Sequence, residues 1–328
     1  MTGIRSALET LAKPDSALHA GIFTRARALL VLSGVTTLLG ALGGFHWLLE
    51  LLSHFVAWQA MLTGLVLILF AVIRRWRWAL AACVVIALQA SVPLSWYLHG
   101  GAPPSEPNCR LLLANVLTSN TNKQAFLDLV SATDPDVICV QEADYEWGKA
   151  LKVLEARYPV NSIVTRSDNF GIAFYSRLPG SMTGVLFQRE HEVPALSATV
   201  EIGGRAIAIL DVHALPPMGK LMAERRNRHL ESIRAWFEAQ SGPAMLLGDL
   251  NLTMFSPEYR RFTRGLGLHN ARQGFGPLGT WPTWVPFARL PLDQCLIRGD
   301  LAVVSCASGP NIGSDHLPLI VDLHIAPK

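Results

Sequence analysis

Acids, amides and histidines stand directly after short apolar runs in the last two thirds of the chain. Glu142 follows Val-Ile-Cys-Val-Gln, His213 follows Ala-Ile-Leu-Asp-Val, Asp249 and Asn251 follow Met-Leu-Leu-Gly, and Asn115 lies near the end of another run. Carboxylate and amide oxygens suit hard cations such as Mg²⁺ or Mn²⁺, which also take phosphate oxygens as ligands. Because strand ends are where an α/β sheet presents side chains to a ligand, we expect these groups to meet at one rim.

The elements that must position them follow from the apolar pattern. From Cys109 onward, short apolar runs alternate with amphipathic helical stretches, which is typical of a mixed α/β domain. The predicted strands are 111–116, 137–140, 171–175, 196–200, 206–212, 244–247, 292–297, 302–304 and 319–323. The predicted helices are 123–132, ended by Asp134-Pro135, then 145–155, 220–239 and 257–264.

Charge is divided unevenly over the 328 residues. Residues 1–100 carry seven Lys and Arg against three Asp and Glu, whereas residues 101–328 carry 21 Lys and Arg against 22 Asp and Glu. The net charge of +3 is therefore due to the N-terminal part of the chain. This balance disfavours tight nucleic-acid binding, which needs a basic face. The cluster of Arg225, Arg226, Arg228 and Arg234 is interpreted as the solvated face of a helix.

Five cysteines without CxxC spacing fit neither a disulfide scaffold nor a zinc site. Cys295 and Cys306 lie on apolar runs separated by a turn at 298–300. The sequence leaves two alternatives open, a bridge between neighbouring strands in an oxidising compartment or two buried thiols.

Three stretches near the N-terminus are long and apolar enough to span a bilayer, at about 28–49, 55–73 and 78–97. Lys and Arg precede the first stretch and lie between the second and third, as Arg74, Arg75 and Arg77, but are missing between the first two. Because such residues resist translocation, residues 1–27 are predicted to be cytoplasmic. A linker at 99–108 would then lead to a domain at 109–328 on the outer face, periplasmic in a Gram-negative cell.

Seven motifs in one order resemble the endonuclease/exonuclease/phosphatase superfamily, and within it the membrane-anchored, YafD-like bacterial subgroup. They are Leu-Ala-Asn-Val at 113–116, Pro-Asp-Val-Ile-Cys-Val-Gln-Glu at 135–142, Gly-Ile-Ala-Phe-Tyr-Ser-Arg at 171–177, Asp-Val-His at 211–213, Gly-Asp-Leu-Asn at 248–251, Leu-Asp-Gln-Cys-Leu at 292–296 and Gly-Ser-Asp-His-Leu-Pro at 313–318. The resemblance covers nearly all of residues 109–325. It implies a DNase I-like fold, a four-layer αββα sandwich, preceded here by three transmembrane helices of the bacterial inner membrane.

The resemblance also implies a metal-dependent phosphoesterase. Glu142 would bind Mg²⁺ or Mn²⁺, assisted by Asn115 and Asp315. An activated water would attack phosphorus in line with the leaving oxygen. The substrate would be a phosphoester of a nucleic acid, a nucleotide or a phospholipid head group, and protein partners are not predicted.

Catalytic roles follow from the same resemblance. Asp293 would orient His316 as a base, while Asp249 would position or deprotonate the water, and the sequence leaves open which of the two takes the proton. Asn251 and His213 would contact the phosphoryl oxygens and stabilise their charge. His191, His229 and His269 lie outside the motifs and are not assigned.

The chain departs from the nuclease pattern near the substrate, because Gln294 and Cys295 follow Asp293 where an aromatic residue is common. Arg177 is expected to form a salt bridge at a strand end. Trp281 and Trp284 either line the substrate entrance or pack over the sheets. Two other functions stay open beside a nuclease-type enzyme, a lipid head-group phosphodiesterase or phosphatase and a non-catalytic membrane receptor or scaffold.

Overall fold

The computed structural model of the chain describes residues 17–98, 106–186 and 193–327. Residues 1–16 of the predicted tail, residues 99–105 of the predicted linker at 99–108 and His191 lie outside the described residues. The described residues form two compact units, one with the apolar helices up to Ser95 and one with the mixed α/β domain.

Residues 17–98 contain four helices. They are α1 Ala17–Ala41, α2 Trp47–His54, α3 Val56–Val72 and α4 Trp76–Ser95. Helices α1 and α4 are each long and apolar enough to cross a membrane. Helices α2 and α3, bent by 60° at their junction, provide a third crossing if the pair counts as one span.

The first predicted span, 28–49, differs from the observed helix at both ends. Helix α1 already includes Arg25 and Arg27, because arginine is a good helix former even though it ends a hydropathy window. The helix then stops at Ala41, and a turn at 42–45 leads into α2. A side chain at Gly43 would bring its Cβ to 2.6 Å from the Cα of Glu50, so this reversal of the chain requires glycine.

The few polar residues inside these helices bond to one another. The Gln89 Nε2 donates to Ser33 Oγ at 2.9 Å and to Thr37 Oγ1 at 2.8 Å. The Thr37 hydroxyl in turn donates to Gln59 Oε1 at 2.9 Å. Because an unpaired polar group is costly in an apolar environment, this network links α1, α3 and α4 while satisfying most of their polar side chains.

In the second unit, the residues that the structure describes form twelve strands in two six-stranded sheets. The first sheet has the order β11-β12-β1-β2-β4-β3 and the second has the order β5-β6-β7-β8-β10-β9. The strands are β1 Cys109–Asn115, β2 Val137–Gln141, β3 Val160–Val164, β4 Ile172–Ser176, β5 Gly180–Leu186, β6 Ala195–Ile202, β7 Arg205–His213, β8 Ala244–Asp249, β9 Leu268–Asn270, β10 Asp293–Arg298, β11 Ala302–Ser308 and β12 Leu319–His324. The helices are α5 Lys123–Thr133, α6 Tyr145–Leu151, α7 Lys220–Ala239 and α8 Pro257–Thr263, with short 3-10 turns at Lys152–Leu154 and Pro286–Ala288.

Each sheet contains one parallel pair joined by a helical crossover. Strands β1 and β2 are parallel and connected through α5, and β7 and β8 are parallel and connected through α7. A parallel pair cannot be closed by a hairpin, so the amphipathic stretches between these strands must be long enough to return the chain. Within each pair, both strands end at the same edge of their sheet.

The two sheets pack face to face. Their shared core contains Leu111 and Phe174 of the first sheet together with Ile209 and Met245 of the second. The outer face of the first sheet packs against α5 and α6 through Phe126 and Trp147, among others. This arrangement confirms the predicted mixed α/β fold with two sheets.

All nine predicted strands are present, and the three that the sequence missed are β3, β5 and β9. Each of them is an edge strand of its sheet. The residues of β3 are half-buried and those of β5 are mostly exposed. An edge strand has fewer buried positions than a central one, so its sequence lacks the apolar run by which a strand is recognised.

Of the two alternatives that the sequence left open for Cys295 and Cys306, the structure shows the buried thiols and not the bridge between neighbouring strands. Cys295 lies on β10 of the second sheet and Cys306 on β11 of the first, so the short turn between them carries the chain from one sheet to the other. Both are free, buried thiols in the core shared by the sheets. Burial raises the pKa of the Cys306 thiol to about 11 and that of Cys295 further, which suits packing rather than redox chemistry.

We expect Trp147→Ala to destabilise the second unit strongly. The Trp147 ring is fully buried and packs edge-on against Phe126 at 5.9 Å. Truncating such a ring costs about 3–5 kcal/mol of unfolding free energy. The apparent melting temperature of the full chain in detergent should fall by about 10 °C. Val153→Ala, at a side chain that is 65% exposed, is the control, and equal melting of the two variants would contradict this packing.

Candidate active site

The strand registers bring the predicted site residues to one edge of the two sheets. Asn115 ends β1 opposite Gln141 of β2, and Glu142 follows at once. In the second sheet, His213 ends β7 opposite Asp249 at the end of β8. Asp249 is also paired with Asp293, the first residue of the antiparallel β10.

Two site residues leave their strands in a left-handed backbone conformation. The φ angles are 66° for Glu142 and 48° for Asn251. Residues other than glycine rarely adopt this region. Such a conformation costs on the order of 1–3 kcal/mol and is concentrated at functional sites. Gly248, just before Asp249, must be glycine because of space. A Cβ at this position would lie 1.9 Å from the carbonyl oxygen of Val212 on β7.

Asn115 joins two buried carboxylates across the edge. Its Nδ2 donates to Glu142 Oε1 at 3.0 Å and to Asp249 Oδ2 at 3.3 Å. Its Oδ1 accepts from the backbone N–H of Leu117 at 3.1 Å, which fixes the orientation of the amide. The second oxygen of Glu142 accepts from the backbone N–H of Thr118 at 3.2 Å. One amide therefore holds acids from both sheets side by side.

A buried imidazole lies between two further acids. The His316 Nδ1 is 2.8 Å from Asp293 Oδ2, and its Nε2 is 3.6 Å from Asp249 Oδ2. Burial opposes the charged form of His316, but Asp293 and Asp249 outweigh it and raise its pKa to about 10. Burial also opposes ionisation of Asp293, yet the charge of His316 and its hydrogen bond hold the pKa of this carboxyl below the ordinary value.

Asp249 differs from Asp293 because burial dominates its titration. Burial raises the pKa of Asp249 to about 6, despite the opposing effect of nearby His316. Its Oδ1 accepts from the backbone N–H of Asn251 at 2.8 Å, so only Oδ2 faces Asn115, His213 and His316. At neutral pH this carboxylate is ionised and close enough to its pKa to exchange a proton.

His213 and Asn251 line the other side of Asp249. The His213 Nε2 is 3.6 Å from Asp249 Oδ2 and 3.5 Å from Asn251 Nδ2. Burial lowers the pKa of His213, so its imidazole is neutral at pH 7 and acts as a hydrogen-bond partner rather than a charge. Phe170 lies over this ring with a centroid distance of 5.0 Å.

Asp315 is held differently from the other acids. Its Oδ2 accepts from Trp281 Nε1 at 3.1 Å, and the Trp281 ring lies 6.4 Å from that of His316. Trp281 therefore borders the site, while Trp284 beside it is 66% exposed. In the part of the chain that the structure describes, the group of possible metal ligands within 4.8 Å of one another is Asp249, Asp293 and His316, and it includes neither Glu142 nor Asp315.

Several residues that the sequence did not single out support the site. Ser314 Oγ donates to the carbonyl oxygen of Asn115 at 2.8 Å and accepts from the backbone N–H of His316 at 3.1 Å, which ties the 313–318 loop to β1. Behind Glu142, Gln141 donates to Asp211 at 2.6 Å, and burial raises the pKa of this acid well above its ordinary value. The motifs contained Ser314, Gln141 and Asp211, but nothing in them indicated these partners.

Side chains that the sequence placed outside the site have other partners. Arg177 forms the expected salt bridge, with its Nε 2.8 Å from Asp136 Oδ1. His229 is buried on α7, and burial lowers its pKa to about 4. Interpreting the arginine cluster on α7 as a solvated face is wrong for Arg226, which is fully buried and donates to Asn227 Oδ1.

The family is established by comparison with known proteins. Residues 108–316 match the model of the Endonuclease/Exonuclease/phosphatase family, so the chain belongs to this family, whose members are phosphoester hydrolases. No curated protein matches the chain significantly. The membrane-anchored subgroup stays a prediction.

Solved structures share the fold. A humanized TDP2 of D. rerio is 16% identical with a TM-score of 0.56, and the match covers 66% of this chain and 99% of that one. The human Nocturnin catalytic domain with bound sulfate is 20% identical with a TM-score of 0.54, over 70% and 97% of the two chains. An endonuclease/exonuclease/phosphatase from Bacteroides vulgatus is 17% identical with a TM-score of 0.55, over 66% and 98%.

We expect Asp293→Asn to lower the pKa of His316. Removing the carboxylate charge that raises this pKa to about 10 should move it toward the ordinary value near 6.5, by more than about one unit. The measurement is an NMR titration of labelled histidine in EDTA. Asp315→Asn is the matched control, since Asp315 contributes least among the acids that raise this pKa. An unchanged midpoint in Asp293→Asn would refute the pairing.

Proposed function

We propose that this protein is a divalent-metal-dependent phosphoesterase of the phosphodiesterase type, anchored in a membrane. The observation that carries the proposal is the buried His316–Asp293 pair, whose imidazole faces Asp249. The Asn115 amide joins Asp249 to the carboxylate of Glu142. The family membership and the fold support the same reaction class.

The residues fit a hard cation. Glu142, Asp249, Asp293 and Asp315 bring four carboxylates to the site, whose charge exceeds that of the imidazolium of His316. Buried negative charge in excess is costly unless a cation balances it. Oxygen donors favour Mg²⁺ or Mn²⁺, and we assign the first ligand to Glu142, with Asn115 and Asp315 assisting. When bound, such an ion stabilises the charge on phosphoryl oxygens.

The protein groups divide the remaining work. Asp249, ionised at neutral pH and close to both imidazoles, positions the attacking water and accepts its proton. His316 is already protonated in this arrangement, so it stabilises the developing negative charge and supplies a proton. Neutral His213 and the Asn251 amide donate to phosphoryl oxygens. This division assigns the base to Asp249, one of the two residues between which the sequence could not decide.

The substrate is proposed to be a phosphate diester. A TDP2 of D. rerio with a similar fold was solved with a single-strand DNA product, which supports a nucleic-acid substrate. The balanced charge of residues 101–328 disfavours tight binding to a long polyanion. The membrane-spanning capacity of α1 and α4 favours a second candidate substrate, the phosphodiester of a lipid head group.

We further propose that the catalytic domain lies outside the bacterial inner membrane, in the periplasm of a Gram-negative cell. Arg25 and Arg27 in the N-terminal half of α1, with Arg74 and Arg75 between α3 and α4, support a cytoplasmic location for this side of the helices. Three crossings from a cytoplasmic N-terminus then place the domain on the opposite side.

We expect Glu142→Ala and His316→Ala each to abolish hydrolysis. The first removes the proposed metal carboxylate and the second removes the charged imidazole, so rates should fall by at least about 100-fold. The assay is Mg²⁺- or Mn²⁺-dependent hydrolysis of plasmid DNA, an aryl phosphodiester and a phospholipid by the full chain. His316→Ala should still bind metal in calorimetry, whereas Glu142→Ala should bind it weakly.

EDTA and a distant substitution complete this test. EDTA should stop the wild-type reaction, and Glu106→Ala, at an exposed acid outside the site, should leave the rate unchanged. Full activity in either site variant would remove its assignment. Hydrolysis of none of the three substrates, with no metal affinity, would favour the receptor or scaffold function.

Orientation has its own prediction. Alkaline phosphatase fused after residue 105 should be active, because this enzyme folds only where its disulfides form. A fusion in the α3–α4 turn, after Arg75, should be inactive. The reverse pattern would place the catalytic domain in the cytoplasm.

A further inference from the structure

The turn between α3 and α4 opens into a basic cleft of about 660 Å³. Its lining includes Arg74, Arg75 and Arg77, all of them exposed, together with the aromatic rings of Phe23 and Trp78. The backbone N–H of Arg75 donates to the carbonyl oxygen of Phe70 at 2.9 Å, which closes the turn tightly. Three guanidinium groups are thereby concentrated within four residues at one end of the apolar helices.

Aromatic rings hold two guanidinium groups in place. The Arg75 guanidinium carbon lies 4.9 Å from the Phe23 ring centroid, and that of Arg27 lies 5.9 Å from the centroids of both Phe23 and Trp78. Phe23 and Trp78 in turn pack edge to face at 6.0 Å. A guanidinium stacked on a ring keeps its N–H groups free to donate at the edge, so Arg75, which lines the cleft, is preorganised for an anion.

The positive charge has no carboxylate beside it within residues 17–98. The sole acid of this range is Glu50, on α2, and the whole of α3 separates it in sequence from the arginine turn. A 17-residue helix is about 25 Å long, well beyond a Debye length at physiological ionic strength. Among residues 17–98, therefore, no carboxylate balances the charge of this arginine turn.

The surroundings specify which anion fits. Tryptophan and arginine at the end of an apolar helix lie at the height of lipid head groups. On α4, below the cleft, Leu80 is 68% exposed and Val84 is 56% exposed, which offers apolar surface to acyl chains. A planar guanidinium binds a phosphate through two parallel hydrogen bonds.

We propose that Arg74, Arg75 and Arg77, with Phe23 and Trp78, form a binding site for the phosphate of an anionic phospholipid. The site is separate from the hydrolytic one and rests on the proposed membrane anchoring alone. Its occupant is bound and not cleaved, since the cleft contains no acid or imidazole among its lining residues.

The test compares lipid retention by the full chain in detergent, measured by native mass spectrometry. Wild type should retain phosphatidylglycerol in preference to phosphatidylcholine. A variant with Arg74→Lys, Arg75→Lys and Arg77→Lys should retain phosphatidylglycerol about tenfold less, because lysine keeps the charge but lacks the planar fork. Keeping the three charges also preserves the orientation signal, so a change in topology does not confuse the result.

The control variant replaces three arginines outside the cleft by lysine. Arg228→Lys, Arg260→Lys and Arg264→Lys, at exposed positions of the other arginine-rich segments, should leave retention unchanged. The proposal would be overturned if both triple variants retained phosphatidylglycerol equally. It would also be overturned if the wild-type chain retained phosphatidylglycerol and phosphatidylcholine equally. Displacement of the lipid by inorganic phosphate would reassign the cleft to a free anion and overturn the lipid assignment.

The outcome is independent of catalysis. Lipid retention needs no turnover, so a chain that hydrolyses nothing can still pass this test. Recovery of the wild-type chain in the soluble fraction of cells would instead defeat the membrane anchoring, on which the lipid site depends and the proposed hydrolysis does not.

Discussion

The structure depends on burying several negative charges within a few ångströms of one another. Asp249 and Asp293 are 1% exposed and Glu142 is 9% exposed, and no apolar packing stabilises such a group of ions. The charged His316 offsets part of the cost through its bond to Asp293. The uncompensated part of this charge is the physical reason for proposing a divalent cation. Burial raises the pKa of Asp249, because the imidazole of His316, 3.6 Å away, offsets the cost of burial only in part.

Rigid sheets make this concentration of charge tolerable. Each sheet contributes the end of one parallel pair, and Asn115 of the first sheet reaches Asp249 of the second. Glu142 and Asn251 have a left-handed backbone conformation, and each is held by a hydrogen bond. The Glu142 carboxylate accepts from the backbone N–H of Thr118, and the backbone N–H of Asn251 donates to Asp249. A site drawn from one sheet alone would lack either the Glu142 carboxylate or the Asp249–His213 pair.

The two units of the chain concentrate charges of opposite sign. The acids gather in the domain that belongs to the phosphoesterase family, whereas the apolar helices carry an excess of arginine. Both proposed sites, one in each unit, would bind a phosphate group. One arrangement would polarise a phosphate ester for attack, while the other would only hold a phosphate through guanidinium groups, one of them stacked on an aromatic ring.

The sequence by itself determined the central strands, the crossover helices and the motif residues from Asn115 to His316, because local apolar periodicity and ordered motifs are written along the chain. Only the tertiary structure revealed the edge strands β3, β5 and β9, the separation of Cys295 and Cys306 into different sheets, and the Trp281 partner of Asp315. It also showed that Arg226 is buried. These features depend on which strand or loop a residue meets across the fold, and such long-range contacts leave no periodic trace in the residues on either side.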